Sequence, residues 1–199
     1  MTLTVACVKW GTKYPAKYVN VLQAMVKRSL ARDHEFVCFT DDPKGLKCET
    51  VKLPGDLKGW WNKLFLFKPG LFSGRVLFLD LDVCITGPLD DLVDYATPFA
   101  IIEDWHLPGY NSSVFVMDHD AHPQVWEEFE PRVAKRLHGD QDWITEKIPN
   151  AAIFPWPWCV SYRSHAVPGV PKGARVVVFH GEPKPHAMPS PWVERYWHE

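Results

Sequence analysis

The chain has 199 residues, 46% hydrophobic and 23% charged, with a formal net charge of −2. That balance suits one globular domain with a sizeable core; it excludes a disordered chain and one that tracks nucleic acid by charge alone. The five cysteines are odd in number and show no CxxC spacing, so buried free thiols in a reducing compartment are expected rather than a disulfide framework. Aromatic residues reach 14%, ten of them Trp, which mildly favours a carbohydrate ligand. Met1 to Ala6 lack a basic stretch and a long apolar run, and no segment reads as a membrane span. The expectation is a cytoplasmic protein.

In chain order, Thr2 to Val8 alternates and is β-branched, and reads as the first strand. Pro15 opens a segment with apolar residues at Val19, Leu22, Met25, Val26 and Leu30, a helical period. Strands follow at Glu35 to Thr40 and Glu49 to Leu53, and Trp60 to Lys68 reads as an aromatic helix. Val76 to Val83 is one apolar strand carrying Asp80 and Asp82. A short helix at Leu89 to Tyr95 and a strand at Pro98 to Ile102 come next, then a strand from Asn111 to Met117. Ala121 to Leu137 has a helical pattern, Asp140 caps a further helix, and short strands fall at Ala151 to Phe154 and Arg175 to Phe179. This order gives an α/β fold with a mixed, mainly parallel central sheet flanked by helices. Ligands of such sheets bind at the carboxyl ends of the strands, where Trp10, Gly11, Thr12 and Asp41 are placed. The tail after residue 186 is expected either as an ordered lid or as a floppy end.

Asp80 and Asp82 are two apart on a strand and point the same way, with Cα atoms roughly 6.6 Å apart. Two anions closing an apolar strand are costly, and a hard divalent cation, Mg²⁺ or Mn²⁺, is one way to offset them; capping of the next segment is the other. His180 follows the apolar run Val176 to Phe179 and reaches the same sheet edge as a third metal ligand or as a structural histidine. Lys184, between two prolines, reads as a point charge for a diphosphate or as a solvated tail lysine. Asp140 and Gln141 face a sugar ring or cap a helix, and Asn111 with Ser112 offers polar groups for sugar hydroxyls, although a turn preference explains Asn111 equally well. Lys63 reaches a phosphate or carboxylate, or snorkels.

These elements together resemble a known family. Phe78-Leu79-Asp80-Leu81-Asp82 is similar to the DxD motif of GT-A type nucleotide-sugar glycosyltransferases. Asn111-Ser112-Ser113, Asp140-Gln141-Asp142 and His180-Gly181-Glu182-Pro183-Lys184-Pro185 resemble, in the same order, the NSG, DQD and H-x-x-G-x-x-KP elements of glycosyltransferase family 8, the glycogenin and bacterial galactosyltransferase group. Ser113 departs from the usual Gly, and the His-to-Lys spacing is compressed. The resemblance implies a GT-A (Rossmann-like) fold, with one catalytic domain over 1–186 and a tail over 187–199. It implies Mn²⁺ or Mg²⁺ on Asp80, Asp82 and His180, and the donor diphosphate on Lys184. It puts the nucleotide, usually uridine, on Trp10, Gly11, Thr12 and Asp41. It sets Lys63, Asn111, Ser112, Asp140 and Gln141 around the donor sugar, with Gln141 and Asp140 in the catalytic position.

The implied activity moves a sugar from a nucleotide-diphosphate sugar, in this family a UDP-sugar, with retention. The acceptor is left open among a glycan, a protein, a lipid-linked glycan and a modified nucleobase. An inverting route would instead need a carboxylate base, for which Asp104 and Asp142 are available. Two other readings stand beside this one. A binding module would keep the fold without catalysis. A phosphatase of the haloacid-dehalogenase type would use Asp80 as nucleophile, but its later acidic pair is missing after the apolar strands.

Overall fold

The computed structural model describes residues 2–199. The strands β1 (Leu3–Lys9), β2 (Glu35–Thr40), β3 (Glu49–Lys52), β4 (Arg75–Leu79), β6 (Phe99–Glu103), β7 (Tyr110–Met117) and β8 (Ala152–Ile153) form one sheet in the order β3-β2-β1-β4-β7-β6-β8. β1 pairs in parallel with β2 and β4, β2 with β3, and β6 with β8. β7 alone runs against its neighbours, pairing antiparallel with β4 and β6. Its reversal has a consequence for the site. The start of β7, Asn111 to Ser113, lies at the carboxyl end of β4, and Asp80 N donates to Ser113 O at 2.8 Å.

Side chains alternate across the sheet. Val5, Leu77, Leu79, Val114 and Val116 face one layer, which contains α1 (Ala16–Ser29). Ala6, Phe78 and Phe115 face the other, which contains the 3₁₀ helix Gly59–Phe67 and α5 (Asp140–Lys147). α1 buries Val19, Leu22, Met25 and Val26, the stripe its sequence period marks.

The strand expected over Val76 to Val83 ends at Leu79. The chain then leaves the large sheet and enters a second one. That sheet is β5 (Val83–Ile85), β10 (Val176–Val178) and β9 (Cys159–Ser161), in the order β5-β10-β9. Asp80-Leu81-Asp82 is the step between the two sheets. Leu81 turns into the core at 3% exposure, and the flanking carboxylates face the opening. This is the cheaper solution, because ionised groups need polar partners that a sheet interior lacks.

Ala121 to Leu137 holds two short helices, α3 (Gln124–Glu127) and α4 (Val133–Arg136), where one longer helix was expected. Pro131 lies between them and has no amide hydrogen to continue a helical ladder. A short helix, α2 (Asp90–Val93), stands where the sequence places one. The tail carries α6 (Pro191–Tyr196) and packs on α1. Trp197 meets Tyr18 edge to face at 5.1 Å, and Arg28 Nη2 donates to Tyr196 O at 3.1 Å and to His198 O at 2.8 Å. All five cysteines are free. Among the described residues no helix is long and apolar enough to cross a membrane.

Candidate active site

The loops after β1, β2 and β4 meet at the carboxyl edge of the parallel strands, as the topology requires. They enclose a cleft of about 560 Å³ whose walls include Trp10, Tyr14, Trp60, Lys63, Asp80 and Asp82. Gly11 N donates to both Asp41 oxygens at 3.1 Å, which ties the first loop to the second. Gly11 sits at φ +63°, in the left-handed region where a side chain would be strained. Thr12 lines the same cleft. Trp60 rests against Gly139 just before α5 and leaves 57% of its surface open.

Lys63 is the hub of the cleft wall. Its side chain is 6% exposed, and its Nζ lies 3.2 Å from Asp80 Oδ1 and 3.2 Å from Asp140 Oδ2. It also donates to Ser112 Oγ at 2.9 Å and Ser112 O at 3.1 Å. Ser112 Oγ in turn donates to Asp140 Oδ2 at 2.6 Å. Burial works against the charge on Lys63, but Asp140 and Asp80 more than offset it and raise its pKa. Asp80 goes the other way from an ordinary carboxylate. Burial pushes it up, Lys63 pulls it down, Asp82 and Asp140 push again, and the pKa settles at about 6.

Asp82 is held by a second lysine. Lys184 Nζ donates to Asp82 Oδ2 at 2.5 Å and to Phe179 O at 3.0 Å. At 6% exposure Lys184 is not a solvated tail residue. Tyr14 OH donates to the same Asp82 oxygen at 2.8 Å. Burial first and Asp82 second raise the Tyr14 pKa strongly, so it stays a donor. Sequence reasoning missed Tyr14; its place in the loop after β1 was the one available signal.

Asp80 and Asp82 put two carboxylates, the donor type that a hard divalent cation takes, on one cleft wall, each also held by a buried lysine. His180, from the end of β10, has one of its two ring nitrogens engaged. Its Nε2 shares a 2.6 Å hydrogen bond with Ser161 Oγ, and its ring stacks on Trp105 at 5.4 Å. Burial and then His106 and Arg163 lower its pKa. Among the described residues no three His, Cys, Asp or Glu side chains converge as a metal cage.

The remaining residues from the sequence divide in two. Asn111 is buried, with its Oδ1 accepting from Ser113 N at 3.1 Å, a local turn contact. Gln141 is half-buried in the first turn of α5, beside Asp140. Both carboxylates available as an acceptor-side base serve the backbone. Asp142 Oδ2 accepts from His138 N and Gly139 N at 2.9 and 3.3 Å. Asp104 Oδ1 accepts from His106 N and Leu107 N at 2.8 and 2.9 Å.

Sheet order, the single reversed strand and a two-carboxylate step at the cleft define the class: the chain has the fold of GT-A type glycosyltransferases. Solved glycosyltransferases are among the structures it resembles. It is similar to the glycosyltransferase GlyE of Streptococcus pneumoniae TIGR4, with a TM-score of 0.70 and 14% identity over 92% of this chain and 56% of that one. It is also similar to the galactosyltransferase LgtC in complex with donor and acceptor sugar analogs, with a TM-score of 0.66 and 13% identity over 96% and 93% of the two chains. A third is the bifunctional glycosyltransferase WbbM, with a TM-score of 0.65 and 13% identity over 92% and 46%. The chain thus spans little more than half the length of GlyE and less than half of WbbM. No protein-family model matches the sequence, and no curated protein matches it either.

Proposed function

We propose that the protein is a glycosyltransferase that takes its sugar from a nucleotide-diphosphate sugar, a UDP-sugar by the family resemblance, and transfers it with retention. One observation carries this reading: Lys63 binds Asp80, Asp140 and Ser112 into a single buried network on the wall of an open cleft, at the ligand-binding edge of a GT-A sheet.

In this reading Asp80 and Asp82 hold Mn²⁺ or Mg²⁺, with His180 as third ligand by resemblance. When bound, the ion supplies Lewis-acid stabilisation for the departing diphosphate. The chain's own groups do the rest. Lys184 adds a fixed cation at the acidic edge of the cleft, placed before charge develops. Trp10 and Trp60 offer aromatic surface to the nucleotide, and Asp41 sets the Gly11 loop beneath it. Lys63 and Ser112 fix the Asp140 carboxylate, and Asp140 with Gln141 faces the sugar. The carboxylates of Asp104 and Asp142 are engaged with backbone amides. That favours a route in which the leaving phosphate takes the acceptor's proton.

The test is a screen of UDP-sugars for hydrolysis and transfer, with Mn²⁺ and in EDTA. Turnover of one UDP-sugar, dependent on Mn²⁺ and lost in Asp82→Asn, is the expected result. Binding of UDP-sugars without turnover would favour a binding module, and no binding at all would sink the reading.

A further inference from the structure

Next to His180, four separate segments bring their rings together. Trp105 comes from the loop between β6 and β7, Trp156 from the segment after β8, His165 from the turn after β9, and His180 from the end of β10. Trp105 stacks on His180 with planes 19° apart. Trp105 and Trp156 meet His165 at 6.4 and 4.8 Å with planes at 63° and 71°. His106 lies 5.7 Å from His180. Trp156 is 64% exposed and Leu107 66%. Single exposed apolar residues are ordinary on a protein surface; here Trp156 stands on His165, whose turn is bonded to the loop that carries Leu107.

The face is preformed. Asp104 N donates to Gly109 O at 3.0 Å and closes the loop that presents Trp105, and the Asp104 carboxylate holds the amides of His106 and Leu107. His106 Nε2 and Ser164 Oγ, 3.1 Å apart, pin that loop to the turn carrying His165. The face also adjoins the cleft: Phe179 N, one residue before His180, donates to Asp82 O at 3.1 Å.

We propose that Trp105 and Trp156 form the acceptor platform, and that the acceptor is a glycan presenting a neutral pyranose ring. The exposed indole of Trp156 matches the C–H face of a pyranose, half-buried Trp105 extends the apolar surface across His165, and the His106, His165 and Ser164 groups at its edges suit hydroxyls. Naming the sugar as acceptor rests on the transferase reading, but its binding does not.

The experiment is saturation-transfer difference NMR on the full chain with methyl β-galactopyranoside, methyl α-glucopyranoside and maltose, each with and without UDP; uridine and adenosine serve as planar probes. Saturation of one face of a pyranose is expected, falling about fivefold or more in Trp156→Ala and kept in Trp156→Phe. Trp156 is the better target because its exposure spares the fold, which UDP affinity checks separately. Equal saturation in Trp156→Ala, no sugar signal at all, or stronger transfer to the nucleosides at this face would each overturn the proposal. Failure of UDP to bind would sink the donor reading and leave the sugar result standing.

Discussion

Lys184 Nζ donates to Asp82 Oδ2 across 102 residues of sequence, and the two side chains keep only 7% and 13% of their surface. Removing one member of such a pair leaves the other buried and uncompensated, which costs about 3–5 kcal/mol. Lys184→Met should therefore lower the urea midpoint as well as weaken UDP binding. The double variant Lys184→Met/Asp82→Leu should recover much of the stability and none of the binding. An unchanged midpoint in Lys184→Met would count against the pair.

Asp80 gives a pH signature of definite sign. Its folded pKa is about 6 against an ordinary 3.8, so between those values the folded chain holds a proton that the unfolded chain has lost. Stability from this group is full below the unfolded value and falls as pH rises through about 6. Asp80 keeps 28% of its side chain exposed at the cleft, which screens the size of the effect but not its direction. In EDTA, the stability of the parent relative to Asp80→Asn should decline from pH 4.5 to pH 7. A flat or rising difference would contradict the shift. Lys63, raised by the same carboxylates, stays charged across this window and adds no slope.

The opening of the fold was legible because its signals are local. β1, α1 and β2 carry their periods within single segments, and the order of motifs from Asp80 to Lys184 puts them at one sheet edge. Lys63 could be singled out as a cation in an aromatic helix, but its role as the joint of Asp80, Asp140 and Ser112 depends on β7 running backwards beside β4, a pairing no local pattern encodes. The break between β4 and β5 was hidden in the same way. Leu81 continues the apolar run in sequence, and only the second sheet, built from residues about 75 and 95 positions later, explains why the strand stops. The Trp105, Trp156 and His165 rings likewise meet through space alone.

Metal binding should separate the three expected ligands. Mn²⁺ at a hundredfold excess over its Kd would stabilise the folded chain by about 2.7 kcal/mol, read as a higher melting temperature. Asp82→Asn should abolish that gain. His180→Ala should reduce it less, because the imidazole already shares its Nε2 with Ser161. Equal losses in both variants would make His180 a full ligand, and no gain in the parent would remove the metal from the site.

Tyr14 is the residue whose function depends most narrowly on one atom. Its hydroxyl donates 2.8 Å to Asp82 Oδ2, and its ring packs on Tyr18 at 4.8 Å and lies 5.9 Å beneath Lys184 Nζ. Tyr14→Phe keeps the ring and removes only the donor, leaving Asp82 oriented by Lys184 alone. Hydrogen bonds to charged groups contribute about 1.5–3 kcal/mol. Partial exposure of Tyr14 lets water replace some of that, so a stability loss of about 1 kcal/mol is expected. The larger effect should fall on the carboxylate's aim. Mn²⁺ affinity, read by the melting-temperature shift, should drop in Tyr14→Phe, while UDP affinity measured without metal stays near the parent's. If both fall together, Tyr14 contacts the nucleotide itself. If neither moves, Lys184 is sufficient to hold Asp82, and the hydroxyl is a bystander of the loop.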